Sequence, residues 1–197
     1  KEPANSTTMT FSPHHARGWR GALPPSLSSH HKYWLLRPGA LTEGLRQLGH
    51  VHLRVLREYP QGAPEDEAHG MGLAARTPCW VREVCMAIDG VDCVVARSLT
   101  PLKASHGVWQ GMRKLRTRPL ADMLYKDPGI RRSAFVCSPL NGIQAFAATP
   151  MQVLDHRPHS LWARRSVFWR HGQPLLVAEC FLPAFWTCLE KNAANPV

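Results

Sequence analysis

Two strand–turn–strand patterns constrain this chain most. Cys79–Ile88 and Val91–Leu99 flank Asp89-Gly90, and Leu161–Arg170 and Leu175–Leu182 flank His171-Gly172-Gln173-Pro174. Asp-Gly supplies the two positive-φ positions that a tight hairpin turn needs. Val51–Tyr59 and Arg131–Ser138 read as further strands, giving about six joined mainly by hairpins. That pattern predicts an α+β domain, an antiparallel sheet with helices on one side. One helix is expected from a Ser28 or Ser29 cap through Leu36, ended by Pro38-Gly39. A second runs from Ala40 to Leu48, stopped by Gly49. Residues 104–126 read as helical, broken at Pro119. Residues 60–78 form a loop whose length marks it as functional or mobile. Residues 139–160 are irregular.

The 197 residues suffice for one full domain. Residues 1–27 lack periodicity and are expected to be a poorly ordered tail. The folded domain is expected over 28–190, with a C-terminal tail over 191–197. The formal net charge is +10. Residues 103–132 hold much of it, with eight Lys and Arg against Asp122 and Asp127. Charge of this kind attracts any anion and does not choose among them. The aromatics lie within apolar strands and no nucleic-acid motif is present, so a nucleic-acid partner is not expected. The six cysteines lack paired spacing. They read as reduced, buried side chains, and no metal site is expected. No apolar run is long enough for a membrane span, and the first thirty residues lack a signal-peptide core.

Charged residues interrupt the apolar strands. Along Cys79–Ile88, Arg82 shares a face with Trp80, Val84, Met86 and Ile88. Along Leu175–Leu182 both faces are apolar except for Glu179. A buried charge needs a partner or a purpose. Two readings stay open: a structural ion pair, such as Arg82 with Glu179, or an internal cavity with a cationic and an acidic end. Arg97 follows Val91, Cys93 and Val95 on one face; it either joins such a site or reaches solvent at the strand end. Leu41 and Leu120 lie at helix starts, where backbone amides have no intrahelical acceptor.

Five segments carry a resemblance: "YWLLRPGALTEGLRQLG" (33–49), "CWVREV" (79–84), "DGVDCVVARSLTP" (89–101), "LRTRPLADML" (115–124) and "LWARRSVFWRHGQPLLVAECFLPAFW" (161–186). In this order they resemble successive blocks of the chorismate–pyruvate lyase family. The W-[LV]-R-E, R-R-S and L-L-x-x-E-x-F-L-P blocks are specific in combination. The resemblance implies a six-stranded antiparallel sheet with flap-like helices enclosing an internal pocket. It implies a lyase that converts chorismate to 4-hydroxybenzoate and pyruvate, towards ubiquinone, in the cytoplasm. No cofactor is implied, and the chain is expected to be a monomer whose partner is its small-molecule substrate.

The resemblance also assigns roles. Arg82 and the amides of Leu41 and Leu120 would hold the carboxylate, and Glu179 would meet the hydroxyl. Arg82 and Glu179 are the residues expected to act in catalysis. The stretch from Ser138 to Ser160 is longer than the family pattern, as is the N-terminal tail. The alternative is a non-enzymatic domain of the same fold that binds small aromatic ligands.

Overall fold

A computed structural model describes residues 18–194. Its centre is an antiparallel sheet of β1 (Val51–Gly62), β2 (Pro78–Ile88), β3 (Val91–Pro101), β4 (Arg131–Arg132), β5 (Val136–Pro139), β6 (Trp162–Arg170) and β7 (Gln173–Phe181). The order is β1-β2-β3-β7-β6, with β4 and β5 both paired to the outer edge of β6. Seven strands thus fill six positions. The expected strand over 131–138 is one edge strand interrupted at residues 133–135.

Both hairpins form. Asp89 and Gly90 have φ of 49° and 84°, and His171 and Gly172 have 47° and 71°. Positive φ at both central positions suits a tight turn to the strands' right-handed twist. The second turn is two residues rather than four, because Gln173 pairs with Arg170 and Pro174 with Trp169.

One face of the sheet carries α1 (Ser29–Leu36), α2 (Leu41–Arg46), α4 (Leu102–His106), α5 (Ala121–Leu124) and α6 (Pro183–Ala194). Ser28 caps α1, its side chain accepting from the His31 amide at 3.2 Å. The other face is also covered. There α3 (Glu65–Gly70) and two 3₁₀ turns pack Ala68, Phe146 and Ala147 onto Val81, Val95 and Leu176.

Several expectations change. The loop expected over 60–78 is partly regular: β1 runs on to Gly62 and α3 follows. Residues 104–126 form short pieces, α4, a 3₁₀ turn (Gln110–Lys114) and α5, because Gly107, Gly111 and Pro119 deny a longer helix. The packed domain also begins before Ser28. Trp19 is 1% exposed, and Arg20 exchanges two backbone hydrogen bonds with Cys137. Residues 1–17 of the expected tail lie outside the described residues. At the other end α6 continues through Ala194, where a tail was expected from 191. Pro183 at its start and Phe185 and Leu189 four apart are ordinary helix signals. No helix among the described residues is long and apolar enough to cross a membrane. The cysteines are free, five buried and Cys188 half-buried.

Candidate active site

The cavity lies between the sheet and the helices of its more heavily covered face. Its floor comes from four neighbouring strands. Antiparallel register sets Val84, Ala96, Glu179 and Arg164 in one row, and Arg82, Ser98, Val177 and Ser166 in the next. Rows two residues apart share a face. Arg82 and Glu179 are therefore two strands and two residues apart, about 12 Å between Cα atoms by standard sheet spacings. They do not pair, each having other partners, yet they line one cavity. Leu41 and Thr42 at the start of α2 cover it, with Pro119–Tyr125 and Phe135. The space open to the centre of a water-sized sphere is ≈ 60 Å³. That is room for a few waters.

Arg82 is 1% exposed. Its Nε donates to Glu58 at 3.2 Å, and its Nη2 donates to the carbonyls of Arg116 at 2.7 Å and Arg118 at 3.3 Å. Burial lowers its pKa, and Glu58 opposes that shift. A guanidinium remains charged regardless. Its Nη1 has no partner among the described residues and is not among the atoms sealed from solvent. Arg82 is one of the residues that line the cavity.

Glu179 is held from below. Arg164 Nε donates to its Oε2 at 2.6 Å, leaving Oε1 without a partner among the described residues. Arg164 Nη1 donates to the carbonyls of Trp34 at 3.1 Å and Arg37 at 2.9 Å, and its guanidinium lies 4.3 Å from the Phe135 ring. One side chain thus fixes both the carboxylate and the turn that leads into α2. Leu41 is the first residue of α2 and Leu120 the N-cap of α5, so neither amide has an intrahelical acceptor.

The four residues assigned from the sequence therefore meet at one cavity: Leu41, Arg82, Leu120 and Glu179. The Arg82–Glu179 pair offered as a structural reading does not form. Arg97 neither joins the site nor reaches solvent: it is 3% exposed on the far face of the sheet. Its partners there are Glu67, Glu83, Tyr59 and Gln61. Arg164, Ser98 and Ser166 also line the cavity and were missed. A signal for Arg164 existed. Two successive arginines inside an apolar strand put one charge on each face of the sheet.

The fold resembles that of solved regulator domains. The effector domain of PhnF from Mycobacterium smegmatis matches with a TM-score of 0.53 at 16% identity, covering 74% of this chain and 90% of that one. At that identity the likeness shows the fold alone, an α+β domain. Sequence comparison is more specific. Residues 19–191 match the chorismate lyase family. A probable chorismate pyruvate-lyase of Bordetella pertussis is 70% identical over 181 residues, 91% of this chain and 95% of that protein. Probable chorismate pyruvate-lyase 1 of Pseudomonas entomophila is 37% identical over 182 residues, 89% of this chain and 95% of its own. The chain belongs to the chorismate lyase family, and it is an enzyme of that class.

Proposed function

We propose that the protein splits chorismate into 4-hydroxybenzoate and pyruvate. One observation carries this reading. One cavity is lined both by Arg82, whose Nη1 is unfilled, and by Glu179, whose Oε1 is unfilled.

The product's carboxylate suits Arg82 Nη1, a charge-assisted donor on a buried side chain. The amides of Leu41 and Leu120 complete that grip. Glu179 Oε1 accepts from the ring hydroxyl, with Arg164 fixing the carboxylate's orientation. The reaction breaks the ether bond to the enolpyruvyl group and removes hydrogen from the carbon that bears the hydroxyl. That hydrogen ends on the enolpyruvyl methylene, giving pyruvate and an aromatic ring. Atoms balance without an oxidant or reductant, and aromatisation drives the step. The chain's contribution is to hold one conformer and stabilise charge on the departing group. The basic residues of 103–132 draw the dianion inward. We place the reaction in the cytoplasm, on the way to ubiquinone. The family resemblance supports that placement, and the free cysteines fit a reducing compartment.

The test is direct. Purified protein with chorismate should release 4-hydroxybenzoate, seen by its ultraviolet absorbance, with one pyruvate per ring. Binding of 4-hydroxybenzoate without turnover would instead indicate a binding domain.

A further inference from the structure

Two segments meet over the cavity. The first is the turn between α1 and α2, which leads to the Leu41 amide. Arg164 ties it to the sheet through the carbonyls of Trp34 and Arg37. The second is Pro119–Tyr125, which carries the Leu120 amide and follows the stretch that Arg82 ties down at Arg116 and Arg118.

Tyr125 joins the two. Its hydroxyl donates to the Gly39 carbonyl at 2.9 Å and accepts from Arg132 Nη1 at 3.3 Å. Its ring lines the cavity and stands edge-on to Phe168, centroids 5.9 Å apart at 81°. Arg132 is itself steadied, its guanidinium lying 4.2 Å from the Phe135 ring. Gly39 has φ +78°, a conformation that suits glycine and sets where its carbonyl points.

We propose that Tyr125 is a positioning residue that latches the cover: its hydroxyl holds the α1–α2 turn against the 119–125 segment over bound 4-hydroxybenzoate and slows the product's departure. This rests on the cavity being the product site. The closed cover brings the Leu41 and Leu120 amides to one carboxylate, and opening it separates them. The latch is a neutral hydrogen bond at a position 46% exposed, so its effect is small. Losing it should raise the release rate about twofold to fivefold.

Tyr125→Phe removes the hydroxyl and keeps the ring against Phe168. Release of 4-hydroxybenzoate would be followed by stopped-flow displacement for wild type and variant, with Tm as a check on folding. The expected result is faster release from the variant, a smaller change in association, and a kcat that rises without a rise in kcat/KM. A merely structural role would lower kcat and kcat/KM together, and that outcome overturns the latch. So does a folded variant that releases product at the wild-type rate. Wild-type protein that neither binds 4-hydroxybenzoate nor turns over chorismate overturns the cavity reading, and the latch with it.

Discussion

Each face of the sheet buries an arginine beside carboxylates, Arg97 on the far face and Arg82 on the near one, and of these two only Arg82 lines the cavity. On the far face every Arg97 donor is filled. Nε bonds Glu67, Nη1 bonds Glu83 and Tyr59, and Nη2 bonds Gln61 and Glu67, all between 2.7 and 3.0 Å. Glu83 is completed by Thr149 at 2.7 Å and Gln152 at 2.8 Å. On the near face Arg82 keeps Nη1 and Glu179 keeps Oε1 without a partner among the described residues, and both residues line a cavity. Spare capacity alone does not mark the site. Arg165 Nη2 and Asp66 Oδ2 also lack hydrogen-bond partners, but they are sealed in the far face. Spare capacity that opens into a void is what separates a binding site from a structural network.

The largest effect should come from breaking the filled network. Arg97→Ala strands Glu67 and Glu83 without their shared cation, which should cost about 3–5 kcal/mol of stability. Urea denaturation measures it. A loss below about 1 kcal/mol would show that the network is not a structural keystone. Arg82→Ala attacks the other face. It should weaken 4-hydroxybenzoate binding roughly tenfold to a hundredfold, read by calorimetry on protein whose Tm has been checked. If Arg97→Ala that remains folded lost more affinity than Arg82→Ala, the division between the faces would be wrong.

Glu179 should respond less, if it orients the hydroxyl rather than moving a proton. Glu179→Gln keeps the shape and a hydrogen-bonding oxygen but cannot take up a proton. It should remain active, impaired by about tenfold or less, below the 10²–10⁴-fold range typical of losing an acid or base. Glu179→Ala should lose most turnover. A folded Gln variant that binds product normally and is wholly inactive would give Glu179 the proton-transfer role.

Most of the architecture was legible because hairpin turns and two-residue alternation are local properties. Arg82 and Glu179 in the cavity were legible for the same reason: they break an apolar pattern. What stayed hidden depends on register. Between Val55 and Arg57 the pairing of β1 with β2 shifts. A bulge of this kind swaps faces beyond it. Glu58 therefore reaches Arg82 on the cavity face, while Tyr59 and Gln61 turn to Arg97 on the other. Simple alternation along Val51–Tyr59 would put each of them on the wrong side. Arg97 was misjudged because its partners lie on β1, β2 and α3, and no local pattern reports such a pocket.

The smallest predicted effect concerns pH and also separates the faces. Glu67 and Glu83 share one guanidinium. Burial opposes ionisation of both, but Glu83 has hydrogen bonds from Thr149 and Gln152 besides Arg97, and its pKa lies below the usual value of 4.5. Glu67 depends on Arg97, feels Asp66 nearby, and is pushed up by burial. The signs follow from proton uptake. Glu83 contributes stability that is present above its unfolded pKa and lost as pH falls through its depressed folded value. Glu67 does the reverse: the folded state binds the extra proton, so stability falls as pH rises from 4.5 through its raised folded value. The two groups therefore contribute opposite slopes to wild-type Tm, Glu83 on the acid side and Glu67 above pH 4.5. Glu67→Gln removes Glu67's contribution alone, so Tm should fall less as pH rises above 4.5, while the acid limb, to which Glu83 and Asp92 both contribute, persists. Product affinity should follow the wild-type pH profile, because Glu67 lies across the sheet from the cavity. An unchanged slope above pH 4.5 in the Tm of Glu67→Gln would assign that titration elsewhere. An altered affinity profile would mean that the two faces communicate.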